Sequence, residues 1–198
     1  MTEMWLVRHG QTDWNLAGIY QGQSDIPLNK TGIKQASELA LKLKGTHFDA
    51  IYTSDLKRAR QTAEIIARQV GAPIFTDPRL REIRQGVWEG MTIEEVRQKY
   101  APDFNRDPEF INLPRAEGAE SLAEVITRMV EAANEIHDRH NGSRVLLASH
   151  GLAVAALYLT VKQSSFHNIY KHIPENGQPL VINVDSKIEL PDFRQYPA

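Results

Sequence analysis

Four times along this 198-residue chain a short apolar run stops abruptly at a polar cluster. Met4-Trp5-Leu6-Val7 ends in Arg8-His9-Gly10, and Ala50-Ile51-Tyr52-Thr53 ends in Ser54-Asp55. Pro73-Ile74-Phe75-Thr76 leads into Asp77 and on to Arg81-Glu82, and Arg144-Val145-Leu146-Leu147-Ala148 ends in Ser149-His150-Gly151. Strands covered on both faces read as short continuous apolar runs. Segments of helical spacing lie among these runs, and strands alternating with helices specify an α/β fold with a mostly parallel sheet.

The helices are marked by their stripes and caps. Thr31, followed by Ile33, Ala36, Leu39, Ala40 and Leu43, reads as a capped helix ending near Gly45. A second helix takes Ser54 or Asp55 as its cap and buries Leu56, Ala59, Ala63, Ile66 and Val70 before stopping at Gly71. Thr92–Tyr100 reads as a short helix, and residues 101–118 as irregular chain. Ser121 with Glu124 forms a capping-box pattern at the head of the longest helix. Gly151–Val161 is an apolar helix. Leu180–Val184 and Lys187–Leu190 read as strands able to pair around Asp185-Ser186.

Composition narrows the class. The length fits one or two domains on a prior of ~100–200 residues each, and with no linker, repeat or low-complexity tract a single domain over residues 1–198 is expected. The net charge of −2 gives no global basic field for nucleic acid, so any anion site must be a local cluster of cations. The absence of cysteine excludes disulfides, thiolate metal sites and cysteine nucleophiles. Met4–Val7 is too short for a signal peptide's apolar core, and Leu152–Val161 is shorter than the ~20 residues that span a bilayer. A soluble, cytoplasmic protein is the expectation, with neither membrane nor nucleic acid as partner.

In open α/β sheets, ligands bind beyond the carboxyl ends of the strands. If the strands are parallel neighbours, Arg8, His9, Arg58, Glu82 and His150 share one edge. Two helix N-termini would add unpaired amides to the same spot. Arginine favours planar oxyanions and histidine can act as a nucleophile, so the pattern points to phosphate chemistry. His47, His137, His140, His167 and His172 read as surface or structural residues. No metal site is expected, because Arg8 and Arg58 would repel a cation beside His9 and His150.

The stretch Leu6-Val7-Arg8-His9-Gly10-Gln11-Thr12-Asp13-Trp14-Asn15 resembles the signature of the histidine phosphatase superfamily, with its phosphoglycerate-mutase-like fold. Gln21-Gly22, Ser54-Asp55-Leu56-Lys57-Arg58-Ala59, Leu80-Arg81-Glu82, Gly86-Val87-Trp88-Glu89-Gly90 and Ser149-His150-Gly151 follow in the family's order. The resemblance implies a three-layer αβα sandwich and a two-step phosphoryl transfer. In it His9 is the nucleophile that carries the phosphoryl group. Glu82 protonates the leaving alkoxide and then takes a proton from water. Arg8, Arg58, His150 and Asn15 bind phosphate, and Gln21 and Gly22 border the substrate. Neighbouring Arg8 and Arg58 keep His9 unprotonated.

Water as the acceptor makes such an enzyme a phosphatase; a second substrate hydroxyl makes it a mutase. Glu82-Ile83-Arg84-Gln85-Gly86 departs from the Glu-Arg-His-Tyr-Gly stretch of cofactor-dependent phosphoglycerate mutases, and the segment that follows is short. The expected activity is therefore hydrolysis of small organic phosphomonoesters, with a small phosphorylated metabolite as partner and no cofactor. The alternatives are a mutase, which would need 2,3-bisphosphoglycerate, and a non-catalytic phosphate-binding or scaffold protein of the same fold. Specificity is expected from a lid segment at about residues 91–119, where Phe104, Phe110, Ile111 and Leu113 accompany Arg106 and Arg115. Those apolar residues are expected to pack the segment onto the domain more than to touch substrate. Trp14, Tyr20 and Trp88 are candidates for the pocket wall.

Overall fold

A computed structural model describes residues 1–197. The chain forms β1 (Thr2–Arg8), the single turn α1 (Asp13–Leu16), α2 (Lys30–Lys42), β2 (Ala50–Thr53), α3 (Lys57–Val70) and β3 (Ile74–Thr76). It continues through α4 (Ile93–Lys99), α5 (Ala101–Phe104), α6 (Leu122–Arg139), β4 (Arg144–Ser149), α7 (Gly151–Val161) and β5 (Pro179–Val184). The strand order is β3-β2-β4-β1-β5. The β2–β3, β2–β4 and β1–β4 pairs are parallel, and only β5 runs antiparallel, against β1.

Side chains alternate across a strand, and here both faces are covered. Met4, Leu6, Val145 and Leu147 pack on one side with Ile126, Met129 and Ala133 of α6 and Ala153 and Leu157 of α7. Val7, Leu146 and Ala148 pack on the other side with Leu39 and Ala40 of α2 and Ala63 and Ile66 of α3. The result is the expected three-layer αβα sandwich. Its central strands are continuous apolar runs because neither of their faces meets water.

This topology creates the crevice. β1 and β4 are parallel neighbours, with Arg8 opposite Ser149. After β1 the chain enters α2 on one face, and after β4 it enters α7 on the other. Two neighbouring strands whose connections leave on opposite faces form a topological switch point, the usual ligand crevice of open α/β sheets. His9 and His150 are the first residues beyond these two strands.

Several local expectations are corrected. Asn29, not Thr31, caps α2: its side chain accepts from the Gly32 amide at 2.9 Å. Neither Ser54 nor Asp55 caps α3. That helix begins after Leu56 without a side-chain cap, and the Lys57 amide donates to Asp25 at 2.7 Å. Lys187–Leu190 is not a strand. The backbone of Ile188 pairs instead with the Asn134 side chain on α6, at 2.7 and 3.0 Å. The Ser121–Glu124 capping box is formed, as is that of Thr92 and Glu95 at the head of α4.

Leu147 is fully buried between β1 and the α6–α7 layer, whereas Leu41 on α2 is 63% exposed. Leu147→Ala is expected to cost about 2–5 kcal/mol in urea unfolding. Leu41→Ala should stay within about 0.5 kcal/mol.

Candidate active site

The crevice is organised by one buried arginine. Arg58, in the first turn of α3, has no measurable exposure. Its Nε lies 3.2 Å from Nε2 of His9 and 3.2 Å from Nδ1 of His150. The remaining guanidinium nitrogens donate at 2.7 Å to the carbonyls of Ser24 and Gly22. The β1 ladder runs one residue past the strand, with the His9 amide donating to Ser149 at 3.0 Å. The two imidazoles stand 5.2 Å apart at 63°.

These bonds assign both tautomers. Nδ1 of His9 is 2.7 Å from the Gly10 carbonyl, which can only accept, so Nδ1 carries the proton and Nε2 keeps its lone pair. Nδ1 of His150 accepts from Arg58, so its proton is on Nε2. That Nε2–H is buried without an acceptor in the protein, as is Nε of Arg8. Nε1 of Trp88 is a third buried donor without an acceptor, so the property is not confined to the crevice.

Electrostatics keep both rings neutral. Burial pushes His9 well below the ordinary histidine range, and the charges of Arg58 and Arg8 push it further. His150 is depressed by burial first and then by Arg58. Burial lowers Arg58 to about 10, so it stays cationic at neutral pH.

Glu82 reaches the site from the turn after Pro78–Leu80. Its Oε1 accepts from the amides of Ile83 (3.0 Å) and Ala153 (3.1 Å), and its Oε2 from that of Leu152 (3.2 Å). The first amides of α7 thus hold a carboxylate of the protein itself. At α3 the Lys57 amide is likewise occupied, by Asp25. The expectation that two helix N-termini face the ligand is therefore corrected: the first amides of α7 hold Glu82 in the crevice, and the Lys57 amide of α3 holds Asp25 outside it.

Arg8, His9, Asn15, Gln21, Gly22, Arg58 and Glu82 all border one cleft of about 310 Å³. His150 alone is not on its wall; it is fully buried, with Nδ1 turned to Arg58. The side-chain oxygens of Asn15 and Gln21 both face Thr12, leaving their amide NH2 groups as the ends open to a ligand. Gly22 adopts φ +46°, and a Cβ there would fall 2.1 Å from a carboxylate oxygen of Glu89, so only glycine fits.

Other residues support the site without being singled out by the sequence as site residues, Glu89 among them although it lies in a family stretch. The Thr62 hydroxyl accepts from the Gly10 amide at 3.1 Å. Pro174 gives its carbonyl to Arg8 at 3.1 Å, and the Asn176 side chain donates to the His9 carbonyl. Glu89 accepts from the amides of Gln23 and Gln85 and from the Ser24 hydroxyl, which anchors the loop that holds Arg58. The Pro174–Asn176 contacts arrive from some 170 residues away along the chain, where no local pattern announces them.

Beside the cleft is a smaller cavity of about 60 Å³, which shares Tyr20, Ile83, Gln85, Leu152 and Tyr170 with it. Phe110, Leu113 and Arg115 also line this cavity, whereas Ile111 is fully buried in the core. The apolar residues of segment 91–119 therefore divide between packing and pocket wall. Tyr20 and Trp88 line the small cavity as well, and Trp14 lines neither.

In nitrogen-15 NMR, His9 should appear as the Nδ1–H tautomer and His150 as Nε2–H, both neutral at about pH 6, below the unperturbed value of ~6.5. An imidazolium signal from either ring at that pH would overturn the assignment. Because both native pKa values are depressed, their contribution to stability is complete above ~6.5. It is lost as pH falls through the native values, so the thermal midpoint should drop on acidification from about pH 6.5.

The pattern of the histidine phosphatase superfamily (branch 1) matches residues 4–187. Phosphoserine phosphatase 1 of Hydrogenobacter thermophilus is 35% identical over 187 residues, covering 94% of this chain and 89% of that protein. A probable phosphoglycerate mutase GpmB of Proteus mirabilis is 41% identical over 167 residues, covering 81% and 75%. The solved structure of Bacillus stearothermophilus YhfR superposes with a TM-score of 0.86 at 34% identity, covering 94% of this chain and 93% of that one. The match spans both histidines, Arg58 and Glu82, and the chain belongs to the histidine phosphatase superfamily, branch 1.

Proposed function

We propose that this chain hydrolyses small organic phosphomonoesters through a phosphohistidine on His9. The observation that carries the reading is the His9 tautomer. With Nδ1–H tied to the Gly10 carbonyl at 2.7 Å, the unprotonated Nε2 lies beside the Arg58 guanidinium. In the first step Nε2 attacks phosphorus, the bond to the leaving oxygen breaks, and Glu82 gives that oxygen its proton. In the second, water attacks the phosphohistidine, the phosphorus–nitrogen bond breaks, and Glu82 takes the proton from water.

Arg8, Arg58, the Nε2–H of His150 and the Asn15 amide bind the non-bridging oxygens, where charge spreads in the transition state. Gln21 and Gly22 border the phosphate, and the Gly22 carbonyl aims Arg58 at 2.7 Å. The reaction needs no metal: two guanidinium groups already supply positive charge and oppose a cation. The alcohol portion of the substrate extends toward the small cavity walled by Tyr20, Phe110, Leu113 and Tyr170, with Arg115 at its edge. Segment 91–119 in this reading sets specificity. The partner is a phosphorylated metabolite, and the compartment is the cytoplasm; among the described residues no helix is long and apolar enough to cross a membrane.

A mutase is the second reading, favoured by the GpmB relatives. Hydrolysis is preferred because Ile83-Arg84-Gln85 replaces the mutase stretch beside Glu82. Ile83 and Gln85 border the cleft, where they give an apolar and a neutral wall. A scaffold role is disfavoured by the retained grouping of His9, Arg58, Glu82 and His150.

His9→Ala should lower p-nitrophenyl phosphate hydrolysis by on the order of 10⁴–10⁶, as when one member of a covalent-catalysis unit is removed. Activity surviving in that variant would sink the mechanism. Labelled phosphate trapped during turnover should be acid-labile, base-stable and located on His9. Assays on 3-phosphoglycerate with and without 2,3-bisphosphoglycerate separate the two readings: efficient bisphosphate-stimulated isomerisation would establish the mutase.

A further inference from the structure

Glu82 sits on a turn with little regular backbone pairing, yet proton donation to a leaving oxygen tolerates little misplacement. A shift of about 1 Å in a catalytic group can cost ~10²-fold. The Ser149 hydroxyl donates to the Leu80 carbonyl at 2.7 Å and Asp55 holds the Arg81 side chain, but most of the turn's carbonyls are gathered by a single side chain on α6. Arg128 on α6 is only 15% exposed, and each of its five N–H groups has an acceptor. One terminal nitrogen donates to the carbonyls of Arg79 (2.7 Å) and Arg81 (2.6 Å). The other donates to the carbonyl of Glu82 itself (3.0 Å) and to Oε2 of Glu120 (3.1 Å), while Nε donates to Oε1 of Glu120 (3.1 Å).

Glu120 completes the bracket. Its Oε2 accepts from the Arg84 amide at 2.8 Å, just beyond Glu82 in the chain. Gln23 ties the same unit to the loop that holds Arg58, donating to the Glu82 carbonyl at 3.1 Å and to Glu120 at 3.4 Å. The backbone on both sides of Glu82 is thus fastened to α6, whose neighbouring residues Val125, Ile126 and Met129 are fully buried in the core. We infer that Arg128, paired with Glu120, is a positioning residue that sets where the Glu82 carboxyl meets the leaving oxygen. A lysine would keep the charge and lose the fork that spans three carbonyls and a carboxylate.

This inference rests on the proposed role of Glu82 as proton donor, and leaving-group dependence tests the two separately. p-Nitrophenol is acidic enough to leave with little proton assistance; the alcohol of glycerol 2-phosphate is not. Glu82→Gln should lower kcat/KM for glycerol 2-phosphate by on the order of 10²–10⁴, and much less for p-nitrophenyl phosphate. Arg128→Gln and Arg128→Lys should show the same selectivity at reduced size. A loss of about 30- to 100-fold is expected for the alkyl ester and under about threefold for the aryl ester, with inhibition by inorganic phosphate unchanged. Glu120→Gln, which keeps the side chain's shape, should fall between these variants and wild type, and it serves if the Arg128 variants do not fold.

Equal losses on both esters with weakened phosphate inhibition would mean that Arg128 only supports the fold, and would overturn the inference. So would unchanged alkyl-ester activity in the folded variants. If Glu82→Gln itself shows no leaving-group selectivity, the proton-donor reading falls first and the inference with it. Selectivity in Glu82→Gln without it in the Arg128 and Glu120 variants removes the inference alone.

Discussion

A guanidinium with no exposure and, among the described residues, no carboxylate within salt-bridge reach is the constraint on which the rest of this site depends. Burying a charge is costly unless hydrogen bonds replace its hydration. Arg58 meets that requirement with two backbone carbonyls and two imidazole nitrogens. Each partner then becomes constrained in turn. The imidazoles must offer lone pairs, which makes both histidines neutral and settles their tautomers. The carbonyls must come from a sharp turn, which brings Gly22 to positive φ and Glu89 beneath it.

The same economy governs the negative groups. The chain carries a net charge of only −2, yet the crevice gathers Arg8 and Arg58 at one sheet edge. Opposing carboxylates are kept in fixed places. Asp25 takes the Lys57 amide at the head of α3, and Glu82 takes the first amides of α7. Glu120 is engaged by Arg128 on both oxygens. The N-termini of α3 and α7 here receive acidic side chains of the protein itself, as helix dipoles favour.

Legibility followed the range of the interactions involved. Strands β1, β2 and β4 and helix α7 were readable because their burial depends on short apolar runs, and α6 because Ser121 and Glu124 close a local capping box. Arg8, His9, Glu82 and His150 were readable because they terminate those runs or lie in a motif. The start of α3 was misread, since its first amide is satisfied by Asp25, 32 residues earlier. Lys187–Leu190 alternates like a strand, but Asn134 on α6 takes the backbone bonds that a partner strand would need.

The sequence by itself determined the α/β alternation, through local periodicity, and the family, through motifs in a fixed order that also imply the three layers. Only the tertiary structure decided the protonation pattern, the use of the helix N-termini and the support of Glu82. Those depend on distances between residues far apart in the chain: Arg58 to His150 across 92 positions, Arg128 to the Glu82 carbonyl across 46. Hydrogen bonds act over about 3 Å, and only folding brings such residues that close.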